Sequence, residues 1–287
     1  MRIAVTGARG FIGSSLVPVL EARGHSVLAA SREASSSAAS FSGCETLVHL
    51  ANIAHARADA ALLESANVDV TRRIAERAAA AGVRRMIYLS SIKAAGEETR
   101  GRPFDGSEAP APRDAYGRAK LAAERALAEV SAKTAMETVV LRPPLVYGPR
   151  VKAKFLALVR AIARGWPLPL AALHNRRSLL YVGNLADAIA CCVEAPKLAG
   201  RPFVICDRPA VSTPELCQAF GRALGKPARL FPFPAALLGA LPGMRALISS
   251  LEVDDSALRK ALGWQPPVSF EEAIRLTAEW YRLECAP

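Results

Sequence analysis

The chain has 287 residues, 51% of them hydrophobic and 22% charged, a composition that describes a globular protein and excludes a disordered or collagen-like one. Its longest apolar stretch, 230–241, is broken by Pro232 and Pro234 and falls short of the roughly 18 residues that a membrane-spanning helix needs, so no integral membrane segment is expected. The net charge of +11 comes from Lys and Arg spread along the chain without a basic tract, which implies a solvated basic surface and no nucleic-acid partner.

In chain order, residues 3–5 read as a short buried strand. Phe11, Ile12, Leu16, Val19 and Leu20 then recur at helical spacing over 11–23, Gly24 stops the run, and 27–30 is strand again. Further strand-like runs at 46–50, 85–89, 138–141 and 203–206 alternate with alanine-rich helical stretches at 58–81, 114–131 and 183–195. Strands alternating with helices predict an α/β fold, a doubly wound parallel sheet covered on both faces. After Cys206 the pattern is mostly helical with proline breaks, at 214–224, 234–250, 254–262 and 269–284. This predicts two units: 1–149 with about 178–207, and a smaller, mostly helical substrate-binding cap from about 150–177 and 208–287. The apolar stretch 231–241 is read as packing within that cap rather than touching a membrane surface, and the low-complexity stretch 31–42 as a polar loop.

Six cysteines without a C-x-x-C pair and four scattered histidines point to neither a disulfide scaffold nor a metal. Residues 1–7 become strand-like at once and lack the apolar core of an export signal, so a cytoplasmic protein is expected.

Directly after the first strand comes Gly7-Ala8-Arg9-Gly10-Phe11-Ile12-Gly13, opening the first helix. Glycines allow a tight turn and a close approach of backbone to a pyrophosphate, and the helix N-terminus offers free N–H groups and a positive dipole. At the end of the second strand a carboxylate would bind the adenosine ribose. Here the chain reads Ala29-Ala30-Ser31-Arg32, with no acid before Glu33. Ser31 and Arg32, with Arg9, could instead hold a 2′-phosphate, which favours NADP(H) over NAD(H); the other reading is an exposed Arg32 and tolerance of both.

Tyr116 and Lys120 stand four apart at the start of a helical stretch and so share a face. The ammonium is expected to lower the phenol pKa toward neutrality, making it a proton donor and acceptor. Ser91, at the end of the strand 86–91, places a hydroxyl where it could hydrogen-bond the same substrate oxygen.

Taken together, Thr6 through Gly13, His49-Leu50-Ala51, Asn67, Ser90-Ser91, Tyr116 with Lys120, Arg142 through Pro149, and Arg177 with Asn184-Leu185-Ala186 resemble the extended short-chain dehydrogenase/reductase family, in particular its nucleotide-sugar epimerase, dehydratase and reductase branch. The resemblance implies a Rossmann-type sheet. In it, Ser91 polarises the reacting oxygen, Tyr116 is the acid/base, and Lys120 binds the nicotinamide ribose. Gly7, Gly10, Phe11, Ile12, Gly13, Leu50, Ala51, Asn67, Pro143 and Val146 would contact the cofactor. Arg177 matches the arginine that grips a nucleotide diphosphate, and Arg245, Lys154 and Lys93 are further substrate-side candidates.

Two departures narrow the reading. The 4,6-dehydratases carry an Asp-Glu pair where this chain has Ile92-Lys93, which argues against dehydration. Between the second strand and His49 the family fits another strand and helix that touch adenine, but only 31–45 fills that interval here. The expected reaction is NADPH-dependent reduction at C4 of a nucleotide-linked, UDP-type 4-keto-6-deoxy (N-acetyl) hexose for surface polysaccharide synthesis. The alternatives are an NAD-dependent UDP-hexose or UDP-N-acetylhexosamine 4-epimerase and a non-catalytic NADP(H)-sensing module. A homodimer is consistent with the family.

Overall fold

Ile3, Ala4 and Val5 are apolar without interruption because the strand they occupy, β1 (Arg2–Thr6), is covered on both sides. Strands β2 (Ser26–Ala30), β3 (Thr46–His49), β4 (Arg85–Leu89), β5 (Glu137–Arg142) and, later in the chain, β8 (Phe203–Val204) join it in one parallel sheet of order β2-β1-β3-β4-β5-β8. The register places Val5 beside Ala29 on one side and Val48 on the other. The chain is described by a computed structural model over residues 1–30, 38–51, 60–198, 200–240 and 244–285. Ser31 and Arg32 lie outside the described residues.

Because side chains alternate along a strand, the sheet feeds two cores. Ile3, Val5, Val48, Ile87 and Leu141 face α1 (Gly13–Ala22) and α5 (Val182–Glu194), and Leu258 and Trp264 pack into the same cluster. Ala4, Leu47, Met86 and Tyr88 face the other way, against α2 (Ala60–Ala80) and α3 (Ala115–Lys133). The Asp114 carboxylate caps α3 by accepting from the Gly117 N–H at 2.7 Å.

A third core forms around Tyr147, Phe155 and Phe220. It gathers the two-stranded parallel sheet β6 (Leu145–Tyr147) and β7 (Leu179–Tyr181), α4 (Ala153–Ala163), α6 (Thr213–Ala223) and α10 (Phe270–Glu284). Ser212 and Glu215 form a capping box that starts α6, and Ser269 caps α10. The helix expected over 234–250 is instead two short pieces, α7 (Ala235–Gly239) and α8 (Arg245–Ile248), with 241–243 outside the described residues. Between α8 and α10 lies α9 (Ser256–Leu262). The stretch expected to pack within the cap does so in part: Leu238 is buried and Phe233 packs against the cap core, while Phe231 and Leu237 are exposed.

Among the described residues, the interval between β2 and β3 holds a single 3-10 turn, Ala38–Phe41, whose Phe41 fills the core beneath α2. Among the described residues the sheet ends at β2. No described helix is long and apolar enough to cross a membrane.

Candidate active site

The glycine turn is built by close packing rather than by flexibility. Gly7 has φ +73°, in the left-handed region, and a Cβ there would lie 3.0 Å from the Ala51 nitrogen. A Cβ on Gly13 would lie 2.3 Å from the Gly7 carbonyl oxygen, inside van der Waals contact, so α1 can start this close to β1 only with glycine at that position. The Gly10 N–H donates to the Gly7 carbonyl at 2.9 Å, closing the turn, and Arg9 is exposed at its tip.

The floor of this turn is tied to β3. Thr6 Oγ1 lies 2.6 Å from His49 Nδ1 and accepts from the Ala51 N–H at 3.3 Å, and His49 Nε2 lies 3.3 Å from Thr71 Oγ1. Burial first, and the Lys120 charge second, lower the His49 pKa to about 3, so the imidazole is neutral. Leu50 and Ala51 follow β3 directly beside Gly7, while Asn67 sits part-buried on α2. A cradle that an added Cβ would fill, at the N-terminus of a helix, fits the pyrophosphate of a dinucleotide.

Ser91, Tyr116 and Lys120 converge beyond the C-terminal end of β4. Ser91 caps a 3-10 turn, Ile92–Ala94, through its bond from the Lys93 N–H at 3.2 Å. The first turn of α3 carries Tyr116 and the next carries Lys120, whose Nζ stands 5.9 Å from the Tyr116 ring centroid. Lys120 is buried and donates to the Leu89 carbonyl at 2.9 Å and the Tyr88 hydroxyl at 3.2 Å.

The ionisation differs from the sequence expectation. The Tyr116 ring keeps 40% of its surface because it lines a cavity, yet burial of the phenol raises its pKa, and a hydrogen bond with Ser91 only partly offsets this. The ammonium is directed at Tyr88 and Leu89 rather than at the Tyr116 oxygen, so it does not pull the phenol down. Burial lowers Lys120 itself to about 8, with Glu124 acting in the opposite direction.

Glu124 was missed in the sequence. It lies one turn beyond Lys120 on the same face of α3, buried, and accepts from Arg142 Nη2 at 2.6 Å, from Arg142 Nε at 3.0 Å, and from the Ser90 hydroxyl. Its spacing from Lys120 was visible, but its partner Arg142 comes from the end of β5 and meets it only in three dimensions.

A cavity of about 400 Å³ opens above these groups. Ser91, Tyr116, Pro143 and Val146 line one side, with Lys154 and Arg177 among the groups opposite. The Arg177 backbone is pinned to Val211 and Leu251, and its Nη1 donates to the Ser249 carbonyl at 2.8 Å. Among the described residues no carboxylate pairs with this guanidinium, and burial lowers its pKa, so it has capacity for an anion. Lys93 also lines the cavity, but its ammonium is paired with Asp114 and lies 3.6 Å from Glu97. Arg245 is exposed and borders a separate small cavity shared with Arg177 and Lys93, not the main one.

Comparison with known proteins is consistent with this geometry. The model of the NAD dependent epimerase/dehydratase family matches residues 3–206. The chain belongs to that family. Its members share the parallel sheet described above, and the chain is an NAD(P)-dependent oxidoreductase/epimerase of the extended short-chain dehydrogenase/reductase type. It is 35% identical to a UDP-glucose 4-epimerase of Vibrio cholerae, over 96% of this chain and 94% of that one. Among solved structures it is similar to the UDP-glucose 4-epimerase of Thermotoga maritima with UDP-glucose (25% identity, 100% of both chains, TM-score 0.82). It is also similar to the UDP-glucose 4-epimerase of Thermus thermophilus in complex with NAD (26% identity, 100% of both chains, TM-score 0.78).

Proposed function

We propose that the protein is a UDP-sugar 4-epimerase that inverts C4 of a UDP-linked hexose or N-acetylhexosamine. The reading rests on one observation: Ser91 and Tyr116 line one cavity, with Lys120 Nζ 5.9 Å from the Tyr116 ring centroid, in a chain 35% identical, along nearly its whole length, to a UDP-glucose 4-epimerase. Residues 1–149 with about 178–207 hold the dinucleotide through Gly7, Gly10 and Gly13, and 150–177 with 208–287 form the substrate-binding cap. When bound, the nicotinamide takes up and returns the C4 hydride.

The chain's own groups handle the proton and the charge. Tyr116 Oη takes the O4 proton as C4 becomes a ketone and returns it when the hydride is restored to the other face. Ser91 Oγ donates to O4 and stabilises charge as it develops there. Lys120, buried one turn beyond Tyr116 on α3, holds the nicotinamide ribose. Arg177 holds the diphosphate, with Lys154 beside it.

The second reading is the NADPH-dependent 4-ketoreductase. It is favoured by the absence of a carboxylate at 29–32. Assay of the purified protein separates the two. Retained NAD and conversion of UDP-glucose to UDP-galactose without added cofactor support the epimerase. Protein free of dinucleotide that consumes NADPH only with a UDP-4-keto sugar refutes it. In the second case Arg32→Asp weakens NADPH more than NADH.

A further inference from the structure

The basic residues are dispersed in sequence, but the acids are not dispersed with them. Segments 138–186 and 216–251 contain twelve of the 37 Lys and Arg and none of the 26 Asp and Glu, so the rest of the chain is close to neutral. Nearly the whole net charge of +11 therefore sits in these two segments, most of which belong to the cap. Two of the twelve are withdrawn from the surface, Arg142 by Glu124 and Arg177 into the cavity wall; the others are exposed.

The same region carries three of the exposed large apolar side chains, Trp166, Phe231 and Leu237. Residues 229–231 pair with 168–171 through Leu168 N–H to the Arg229 carbonyl (2.8 Å), Phe231 N–H to the Leu168 carbonyl (3.0 Å) and Ala171 N–H to the Phe231 carbonyl (3.1 Å). Trp166, 55% exposed, just precedes the paired segment, Phe231, 41% exposed, lies within its partner, and the chain runs on through exposed prolines and alanines to Leu237, 59% exposed. Cations rim the ledge: the Arg164 guanidinium stands 5.4 Å from the Trp166 ring centroid, Lys226 lies against Gly165, and Arg229 precedes Phe231.

We propose that this ledge is a docking surface for an anionic lipid bilayer, with Trp166, Phe231 and Leu237 entering the interface and Arg164, Lys226 and Arg229 on the headgroups. Aromatic and aliphatic side chains inside a ring of cations match the two components of an interface, an apolar edge and negative charge. A nucleic acid would complement the charge but would leave the apolar run uncovered. A second copy would cover the apolar run but would set two strongly basic faces against each other. The site is peripheral, independent of the reaction catalysed, and needs no spanning helix.

The test is co-sedimentation of the full chain with phosphatidylcholine vesicles and with mixed phosphatidylcholine–phosphatidylglycerol vesicles. Binding is expected to the mixed vesicles alone and to weaken with salt. Each basic side chain near an anionic surface strengthens binding roughly fivefold, so the triple variant Arg164→Gln, Lys226→Gln, Arg229→Gln is expected to bind about a hundredfold more weakly. Trp166→Ser, Phe231→Ser, Leu237→Ser should also lose binding, with circular dichroism and turnover in solution unchanged for both variants. Absence of binding to the mixed vesicles, equal binding by the wild type and the charge variant, or a concentration-dependent dimer abolished by the serine variant would each overturn the proposal.

Discussion

Replacing Glu124 with Gln tests whether the buried cluster behind the candidate site governs its ionisation. The carboxylate is held at 2.6 and 3.0 Å by Arg142 and also bonded by Ser90, and both members of the ion pair are buried. Removing one partner of such a pair costs about 3–5 kcal/mol because the other charge stays buried. With an unfolding entropy of about 2.1 cal/mol/K per residue, that loss lowers the thermal midpoint of a 287-residue chain by about 5–8 °C. The substitution also removes the group that opposes the burial-driven lowering of Lys120. Since burial already brings Lys120 to about 8, the alkaline limb of the kcat profile should move to lower pH. The assay pairs calorimetry with a pH–rate profile. The double variant Glu124→Leu, Arg142→Met, which leaves no unpaired charge between them, should recover most of the stability but not the profile. A Glu124→Gln protein with wild-type midpoint and an unmoved alkaline limb would refute the reasoning.

Further outcomes follow from the same geometry. Tyr116→Phe should lower kcat about 100- to 10,000-fold, the contribution of a positioned acid/base, while dinucleotide affinity measured by fluorescence titration is unchanged. Gly13→Ala should abolish dinucleotide binding in the same titration, because its Cβ would meet the Gly7 carbonyl oxygen at 2.3 Å. Arg177→Met should weaken UDP binding about 10- to 100-fold by calorimetry, the usual range for a hydrogen bond to a charged group. His49 is neutral in the fold, at about 3 against 6.5 when free. The unfolded chain therefore binds the extra proton in that window, and stability should fall as pH drops from 6.5 toward 3. His49→Gln should flatten that dependence in acid-unfolding curves.

Much of the fold was legible because β1 and β4 are covered on both faces and carry apolar runs, Ile3 to Val5 and Met86 to Leu89, bounded by glycine or helical spacing. The glycine turn was legible for the same reason: close approach admits no other residue at Gly13. What escaped is short or assembled at a distance. β6 and β7 span three residues each, too few for a period to show. α4 carries Phe155, Leu158, Val159 and Ile162 at helical spacing, but among prolines at 149, 167 and 169 the stretch was assigned only to the cap, with no element of its own. The stretch 234–250 reads apolar in the manner of one helix, yet it is two, and its apolar side chains are shared between core and surface. The Tyr116 ionisation was misjudged because spacing along a helix gives proximity of side chains but not the partners that an ammonium chooses.

Trp264 donates to Asp187 at 2.8 Å, and Asp187 also pairs with Arg23 at the end of α1. The first helix of the chain is thus stapled, through α5, to a ring encoded in its last tenth. On the ribosome, the hydrophobic cluster begun by Ile3 and Val5 waits for Leu258 and Trp264 before it can close. A chain that stops short of Leu258 lacks two members of the cluster that Ile3 and Val5 begin, and should be more open to proteases than the whole chain.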